Sequence, residues 1–87
     1  MRISLDYDGT YTRDPKRWDA FVKLMQDGGH EVVCVTMRYP TETVEIPNVE
    51  TIYTSREGKL FVCARRGISI DVWIDDMPKL ITMDAAI

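Results

Sequence analysis

The sequence lacks any apolar run that approaches the length of a membrane-spanning helix. Its first residues, MRISLDYDG, also lack the apolar stretch of a secretory signal. Only two cysteines occur, Cys34 and Cys63, and each lies within an apolar run, which is typical of buried small side chains rather than of a disulfide framework. We therefore expect a protein of the reducing cytoplasm that has no membrane contact.

An excess of positive charge is also missing. The 11 basic and 14 acidic side chains give a formal net charge of −3, which argues against a general binder of nucleic acids or membrane surfaces. A phosphorylated substrate stays open, because a bound cation can reverse the local sign of the charge. The single histidine, His30, has no second histidine to work with, and we interpret it as structural or solvated.

The overall composition is typical of a small globular protein. The 87 residues are 45% hydrophobic and 29% charged, and they predict one domain over residues 1–87. A core of this size buries limited surface alone, so a homo-oligomer is one expected way to complete it.

Strand-like and helix-like segments alternate along the chain. Strands are predicted at 3–6, 31–36, 50–54 and 70–75. Asp14 and Pro15 predict the start of a first helix that ends at Gly28, and Ser55 is expected to cap a second helix that ends at Gly67. Residues 39–48 are bounded by prolines and allow at most a turn or two of helix.

This alternation is the pattern of an α/β fold with a mostly parallel sheet and right-handed crossovers. In such sheets, ligands bind beyond the carboxyl ends of the strands. The residues expected at that edge are Asp6, Asp8, Thr36, Arg38, Lys59, Asp75 and Asp76. The edge therefore combines acids, a hydroxyl group and cationic side chains.

Carboxylates that converge in this way repel one another unless a cation neutralises them. Mg²⁺ is the simplest candidate, because it takes a few carboxylate ligands and leaves room for waters and a substrate phosphate. A lysine, a threonine hydroxyl and backbone N–H groups can bind the phosphate oxygens. The residues alone thus predict a phosphoryl-transfer site.

Four segments resemble the motifs of the haloacid dehalogenase-like phosphohydrolases, in the same order. They are DYDGT, VVCVTMR, GKLFVCARRGI and VWIDDMP, and the resemblance spans residues 2–78. It implies a three-layer Rossmann-like sandwich with about four strands in the order 4-1-2-3. Only Tyr11 to Arg13 separate the first motif from the first helix, so we expect no cap domain.

The resemblance also implies catalytic roles. Asp6 is similar to the nucleophile that becomes a phosphoaspartate, and Asp8 to the general acid that later acts as a base. Thr36 and Lys59 are similar to the pair that binds the phosphoryl group. Arg38 is a further candidate for substrate phosphate, with a solvated role as the alternative.

The same resemblance implies a Mg²⁺ site formed by Asp6, the backbone carbonyl of Asp8, and the acid pair Asp75 and Asp76. We expect Asp75 to be the direct ligand because it ends the strand, with Asp76 orienting the site or binding through water. Gly9 and Thr10 are expected to turn the chain beside the substrate.

Some features depart from the family. Residues 39–48 are too short for the usual helix, residues 79–87 leave little room for a fifth strand, and Leu60 stands where a proline often follows the lysine. The predicted function is a Mg²⁺-dependent phosphatase for a small molecule, a nucleotide or a macromolecule end. Two alternatives remain: a binding or regulatory module without turnover, and a receiver-like phosphoacceptor.

Overall fold

Four parallel strands form one sheet in the computed structural model, which describes residues 1–86. The strands are β1 (Arg2–Leu5), β2 (Glu31–Thr36), β3 (Glu50–Tyr53) and β4 (Val72–Ile74). They lie in the order β3-β2-β1-β4, which becomes 4-1-2-3 when it is read from the β4 edge. Because β1 is paired with β2 on one side and β4 on the other, three strand ends meet at one edge.

The first helix, α1 (Pro15–Asp27), begins and ends where the sequence predicts. The Asp14 carboxylate accepts a hydrogen bond from the Arg17 N–H at 3.4 Å, and Pro15 occupies the first helical position. At the other end, Gly28 follows the last helical residue and Gly29 has a φ of +83°. Both boundaries of the predicted helix are confirmed.

The second helix, α2 (Lys59–Arg65), begins later than predicted. Gly58, not Ser55, precedes its first residue, and no side chain caps its amino end. Ser55 has a φ of +53°, outside the extended range that a capping residue adopts, and it lies in a separate turn. The prediction that Ser55 caps α2 is therefore wrong, and the effect is to place Lys59 at the first position of the helix.

Two hydrophobic clusters contain alternate residues of β2. Val32 and Cys34 pack with β1 and with Val22 of α1. Val33 and Val35 pack in the second cluster, which includes Cys63 of α2. Both cysteines are free and buried, as the sequence predicts.

The segments between these strands and helices contain turns and two short 3₁₀ helices. Residues 39–48 form turns, and Ile46 makes an isolated antiparallel bridge to Val49. A short 3₁₀ helix follows Asp76, at Pro78–Ile81, and another, at Tyr11–Arg13, connects β1 to α1. Within residues 1–86, no helix has the length and the apolar character needed to span a membrane.

Candidate active site

The carboxyl edge of the sheet brings most of the predicted site residues together around a cavity of about 120 Å³, although Gly9, Thr10 and Arg38 are not among the residues that line it. β1 supplies Asp6, which follows its last residue, and β2 supplies Thr36 as its last residue. The residues that line the cavity are Asp6, Asp8, Thr36, Met37, Lys59, Asp75, Asp76, Met77 and Leu80. Six of these positions were singled out by the sequence, whereas Met37, Met77 and Leu80 were not.

Lys59 forms the centre of this cluster. Its side chain is only 3% exposed, and its ammonium group donates hydrogen bonds to Oδ1 of Asp6 at 2.8 Å and to Oδ2 of Asp75 at 2.5 Å. Burial acts to lower the pKa of Lys59, but the two carboxylates outweigh it and the pKa is raised. The lysine is therefore held as a cation between two acids that come from different strands.

The burial of Asp6 affects its pKa. The residue is 6% exposed, and removal from water raises its pKa to about 6, although Lys59 acts in the opposite direction. The Thr10 hydroxyl lies 3.1 Å from Oδ2 of Asp6 and 3.3 Å from Oδ1 of Asp76, so it can donate to either carboxylate. A hydrogen bond with Asp6 is the main cause of the lowered pKa of Asp76.

Gly9 allows Asp76 to approach this cluster. Its φ is +83°, and a Cβ atom at this position would lie 2.4 Å from Oδ2 of Asp76. The absence of a side chain at Gly9 therefore leaves the space that the Asp76 carboxylate occupies. Thr10, the next residue, is buried and provides the hydroxyl that lies between Asp6 and Asp76.

Three carboxylates could hold a metal ion. One oxygen each from Asp6, Asp75 and Asp76 lies within 4.8 Å of the other two. An all-oxygen donor set of this kind suits a hard divalent cation such as Mg²⁺. Oδ1 of Asp75 also accepts a hydrogen bond from the Met77 N–H at 2.9 Å, which fixes the orientation of this carboxylate.

The Asp8 side chain is not part of this carboxylate triad. Arg38 binds it through two hydrogen bonds, from Nε at 2.9 Å and from a terminal nitrogen at 2.8 Å. These bonds are the main reason why the pKa of Asp8 is lowered. The Arg38 guanidinium also lies 5.7 Å from the centre of the Tyr7 ring.

The pairing of Asp8 with Arg38 was not foreseen from the sequence. Each residue lies two or three positions beyond the end of its strand, and β1 and β2 are neighbours in the sheet. The order of the strands was therefore the signal that could have suggested the contact. The ion pair is a contact of Arg38 in addition to the two roles expected for it, substrate binding or solvation, which stay predictions.

A larger and more open cleft of about 490 Å³ also borders the acid pair. It is lined by Gly9, Thr10, Arg13, Trp18, Ile74, Asp75 and Asp76. Its lining contains neither Thr36 nor Lys59, which are the side chains suited to a phosphoryl group. The smaller cavity is therefore the better candidate for phosphoryl chemistry, in spite of its size.

Comparison of the chain with models of protein families, with curated proteins and with solved structures gives no match.

Proposed function

We propose that the protein is a Mg²⁺-dependent phosphohydrolase that cleaves a phosphate monoester through a phosphoaspartate on Asp6. The observation that carries this proposal is the buried Lys59 ammonium between Asp6 and Asp75, in the same cavity as Thr36. A buried cation and a buried hydroxyl group that line one cavity can stabilise the negative charge of a phosphoryl group. The resemblance to the haloacid dehalogenase-like phosphohydrolases adds an order of motifs that agrees with these positions.

We also propose how the helices and the sheet are layered in the fold. Alternate residues of a strand face opposite sides of a sheet. The clusters that contain Val32 and Val33 include residues of α1 and α2, respectively. These contacts support a three-layer Rossmann-like sandwich with one helix on each face of the sheet.

In the proposed reaction, a carboxylate oxygen of Asp6 attacks phosphorus and the ester P–O bond breaks. Asp8 gives its proton to the leaving oxygen, so the products of this step are an alcohol and a phosphoaspartate. Asp8 then takes a proton from water, whose oxygen attacks phosphorus. This second step releases inorganic phosphate and restores the Asp6 carboxylate.

Lys59 and Thr36 would bind the phosphoryl oxygens. An ammonium group has three N–H donors, and in Lys59 two of them are used by Asp6 and Asp75. Within the part of the chain that the structure describes, the third donor has no partner, and it can bind a phosphoryl oxygen. Thr36 is 1% exposed and would contribute its hydroxyl group from the end of β2.

Asp6, Asp75 and Asp76 would hold Mg²⁺, with the Asp8 carbonyl as a further ligand. When bound, the ion supplies positive charge that offsets the repulsion between the carboxylates and the substrate phosphate. Both members of the acid pair have an oxygen close enough to ligate, so direct ligation by either one agrees with the geometry.

The Arg38–Asp8 pair gives Arg38 a role in substrate binding. A dianionic phosphate competes with Asp8 for the guanidinium group, and an ion pair of which Asp8 is 55% exposed is easily exchanged. Loss of this pair raises the pKa of Asp8 towards its ordinary value. Substrate binding would thereby prepare Asp8 to carry the proton that the leaving group needs.

The same ion pair favours the second candidate function, a regulatory module that is phosphorylated on Asp6 but turns over slowly. If Arg38 stays on Asp8, its two hydrogen bonds stabilise the carboxylate and weaken it as the base for the water that attacks the phosphoaspartate. A long-lived phosphoaspartate would then be expected, as in a receiver-like phosphoacceptor. The lifetime of the phosphorylated form distinguishes this candidate from the phosphatase.

A direct test is the hydrolysis of an aryl phosphate with Mg²⁺ by the wild type and by Asp6→Asn. Asp27→Asn is a matched control, because Asp27 pairs with Lys23 on the surface of α1. We expect activity in the wild type and the control and none above background in Asp6→Asn. Equal activity in all three proteins would remove Asp6 from the mechanism.

A further inference from the structure

The turn after β3 is bonded to the segment that follows β2. Residues 54–56 donate their backbone N–H groups to three successive carbonyls, those of residues 36–38. The N–H of Thr54 bonds to Thr36 at 2.8 Å, and the N–H of Arg56 bonds to Met37 at 2.8 Å. This turn therefore fixes the backbone next to the predicted phosphoryl-binding hydroxyl of Thr36.

The turn has an unfavourable backbone conformation. Ser55 and Arg56 have φ values of +53° and +70°, and consecutive residues other than glycine are uncommon in this region. Such conformations persist where surrounding contacts hold them, and they cluster near functional sites. The contacts that hold this turn are those with residues 36–38.

The Arg56 side chain strengthens one of these contacts. Its guanidinium donates a hydrogen bond of 2.7 Å to the Met37 carbonyl, which already accepts the Arg56 backbone N–H. The same side chain forms an ion pair of 3.2 Å with Glu42 and lies 5.1 Å from the centre of the Tyr39 ring. One arginine thus holds the Met37 carbonyl through both its backbone and its side chain.

The fixed carbonyl determines the direction of the next N–H group. The peptide bond between Met37 and Arg38 is planar and trans, so the Arg38 N–H points away from the Met37 carbonyl. It points towards Oγ1 of Thr36, at a distance of 3.4 Å, which is long for a hydrogen bond. This N–H therefore lies beside the hydroxyl group of Thr36, a residue that lines the cavity, and its hydrogen bond there is weak.

We propose that Arg56 is a positioning residue for phosphate binding: it holds the Met37–Arg38 peptide so that the Arg38 N–H donates to a phosphoryl oxygen beside Thr36. This inference rests on the proposed function, because it assumes that the cavity binds a phosphate. Arg56 acts through the peptide, since its guanidinium is already used by the Met37 carbonyl and Glu42. The sequence gives no sign of this role, because Arg56 lies in none of the four motifs.

The test compares two substitutions of Arg56 in the full chain. Arg56→Asn removes the guanidinium but tolerates a positive φ, and Arg56→Lys retains a cation that can donate to the Met37 carbonyl. Arg65→Gln is the control for charge, because Arg65 pairs with Glu57 on the surface. Orthophosphate with Mg²⁺ is the probe, and binding is followed by the backbone ¹H–¹⁵N signal of Arg38 and by isothermal calorimetry.

We expect Arg56→Asn to weaken orthophosphate binding about tenfold or more, with loss of the Arg38 signal change and a melting temperature that is only a few degrees lower. The orthophosphate affinity of Arg56→Lys should stay within about threefold of the wild-type value, because lysine retains a donor for the Met37 carbonyl. The affinity of Arg65→Gln should match the wild-type value, because Arg65 does not take part in this contact. Wild-type affinity and an unchanged Arg38 response in Arg56→Asn would overturn the inference.

The wild type provides a second measurement that does not depend on a variant. If orthophosphate shifts the signals of Thr36 or Lys59 but leaves the Arg38 N–H unchanged, the inference is overturned even if Arg56→Asn does not fold. Aryl phosphate hydrolysis is measured on the same samples. If the wild type shows the Arg38 response without hydrolysis and Arg56→Asn loses that response, the role of Arg56 is supported and the phosphatase proposal alone is removed. Hydrolysis with no effect of Arg56→Asn removes the role of Arg56 alone.

Discussion

The ammonium group of Lys59 lies 2.8 Å from Oδ1 of Asp6, although 53 residues separate them in the chain. The contact joins the first residue of α2 to the end of the central strand β1, and both side chains are buried. Buried charges of this kind are stable only as partners, because each one alone would be costly to remove from water. The predicted phosphoryl-binding lysine and the predicted nucleophile are therefore tied together by the fold.

Removal of Lys59 should affect both stability and activity. In Lys59→Met, Asp6 and Asp75 lose their shared cation, and we expect the free energy of unfolding to fall by about 3–5 kcal/mol at neutral pH. Lys23→Met is the control, because the exposed Lys23–Asp27 pair is worth about 1 kcal/mol at most. Urea unfolding measures the loss of stability in each of the two variants. Similar losses in the two variants would contradict the buried contact.

The raised pKa of Asp6 predicts how stability depends on pH. The folded state binds the Asp6 proton up to about pH 6, whereas the unfolded state releases it near 3.8, the ordinary pKa of an aspartate. The folded state holds more protons in this range, so stability should fall as the pH rises from 4 to 6, by up to about 3 kcal/mol. The lowered pKa values of Asp8 and Asp76 act with the opposite sign and below this range.

Urea titrations at several pH values in the absence of metal measure this dependence. In Asp6→Asn the decrease between pH 4 and 6 should disappear, because the amide does not titrate. A wild type whose stability rises across this range would show that Asp6 is not held in the way described.

Gly9 and Gly29 offer a matched pair of alanine substitutions. Both have a φ of +83°, but a Cβ atom at Gly29 would have no neighbour within 4 Å, whereas one at Gly9 would collide with Asp76. Gly29→Ala should therefore cost about 1 kcal/mol from the backbone alone. Gly9→Ala should cost more and should also weaken Mg²⁺ binding, as measured by calorimetry. Equal effects on stability and on Mg²⁺ affinity would exclude the proposed role of Gly9.

Arg38 should control the pH range in which Asp8 is protonated. In Arg38→Gln the pKa of Asp8 loses the main cause of its lowering and should rise towards its ordinary value. The alkaline limb of the profile of kcat/KM against pH, which needs a protonated Asp8, should move to higher pH, and KM should increase. Steady-state kinetics of an aryl phosphate measure both, and a limb that does not move would separate Arg38 from the ionisation of Asp8.

The regular part of the fold follows from local patterns. The run EVVCVT predicts β2 to the residue, and Asp14 with Pro15 predicts the start of α1, because these signals depend on neighbours in the chain. Ser55 failed as a cap because long-range hydrogen bonds to residues 36–38 hold the turn in another conformation. Tertiary contacts there outweigh a local preference.

The candidate site likewise has one part that the sequence predicts and another that it does not. Topology alone brings the acids, Thr36 and Lys59 to one edge, so their meeting could be predicted from the order of the elements. The order of the strands places Arg38 near Asp8, but neither the geometry of their ion pair nor the bond from Arg56 to Met37 could be predicted. They depend on the conformations of long side chains after the strand ends, which no periodicity in the sequence determines.

The most direct test of the central claim is to look for the covalent intermediate on Asp6. The protein is mixed with Mg²⁺ and an aryl phosphate, quenched in acid and digested, and its peptides are analysed by mass spectrometry. We predict one added phosphoryl group on the peptide that contains Asp6, present in Asp27→Asn and absent in Asp6→Asn. Hydrolysis of the ester with no phosphoryl group on Asp6, or with one on a different residue, would contradict the account.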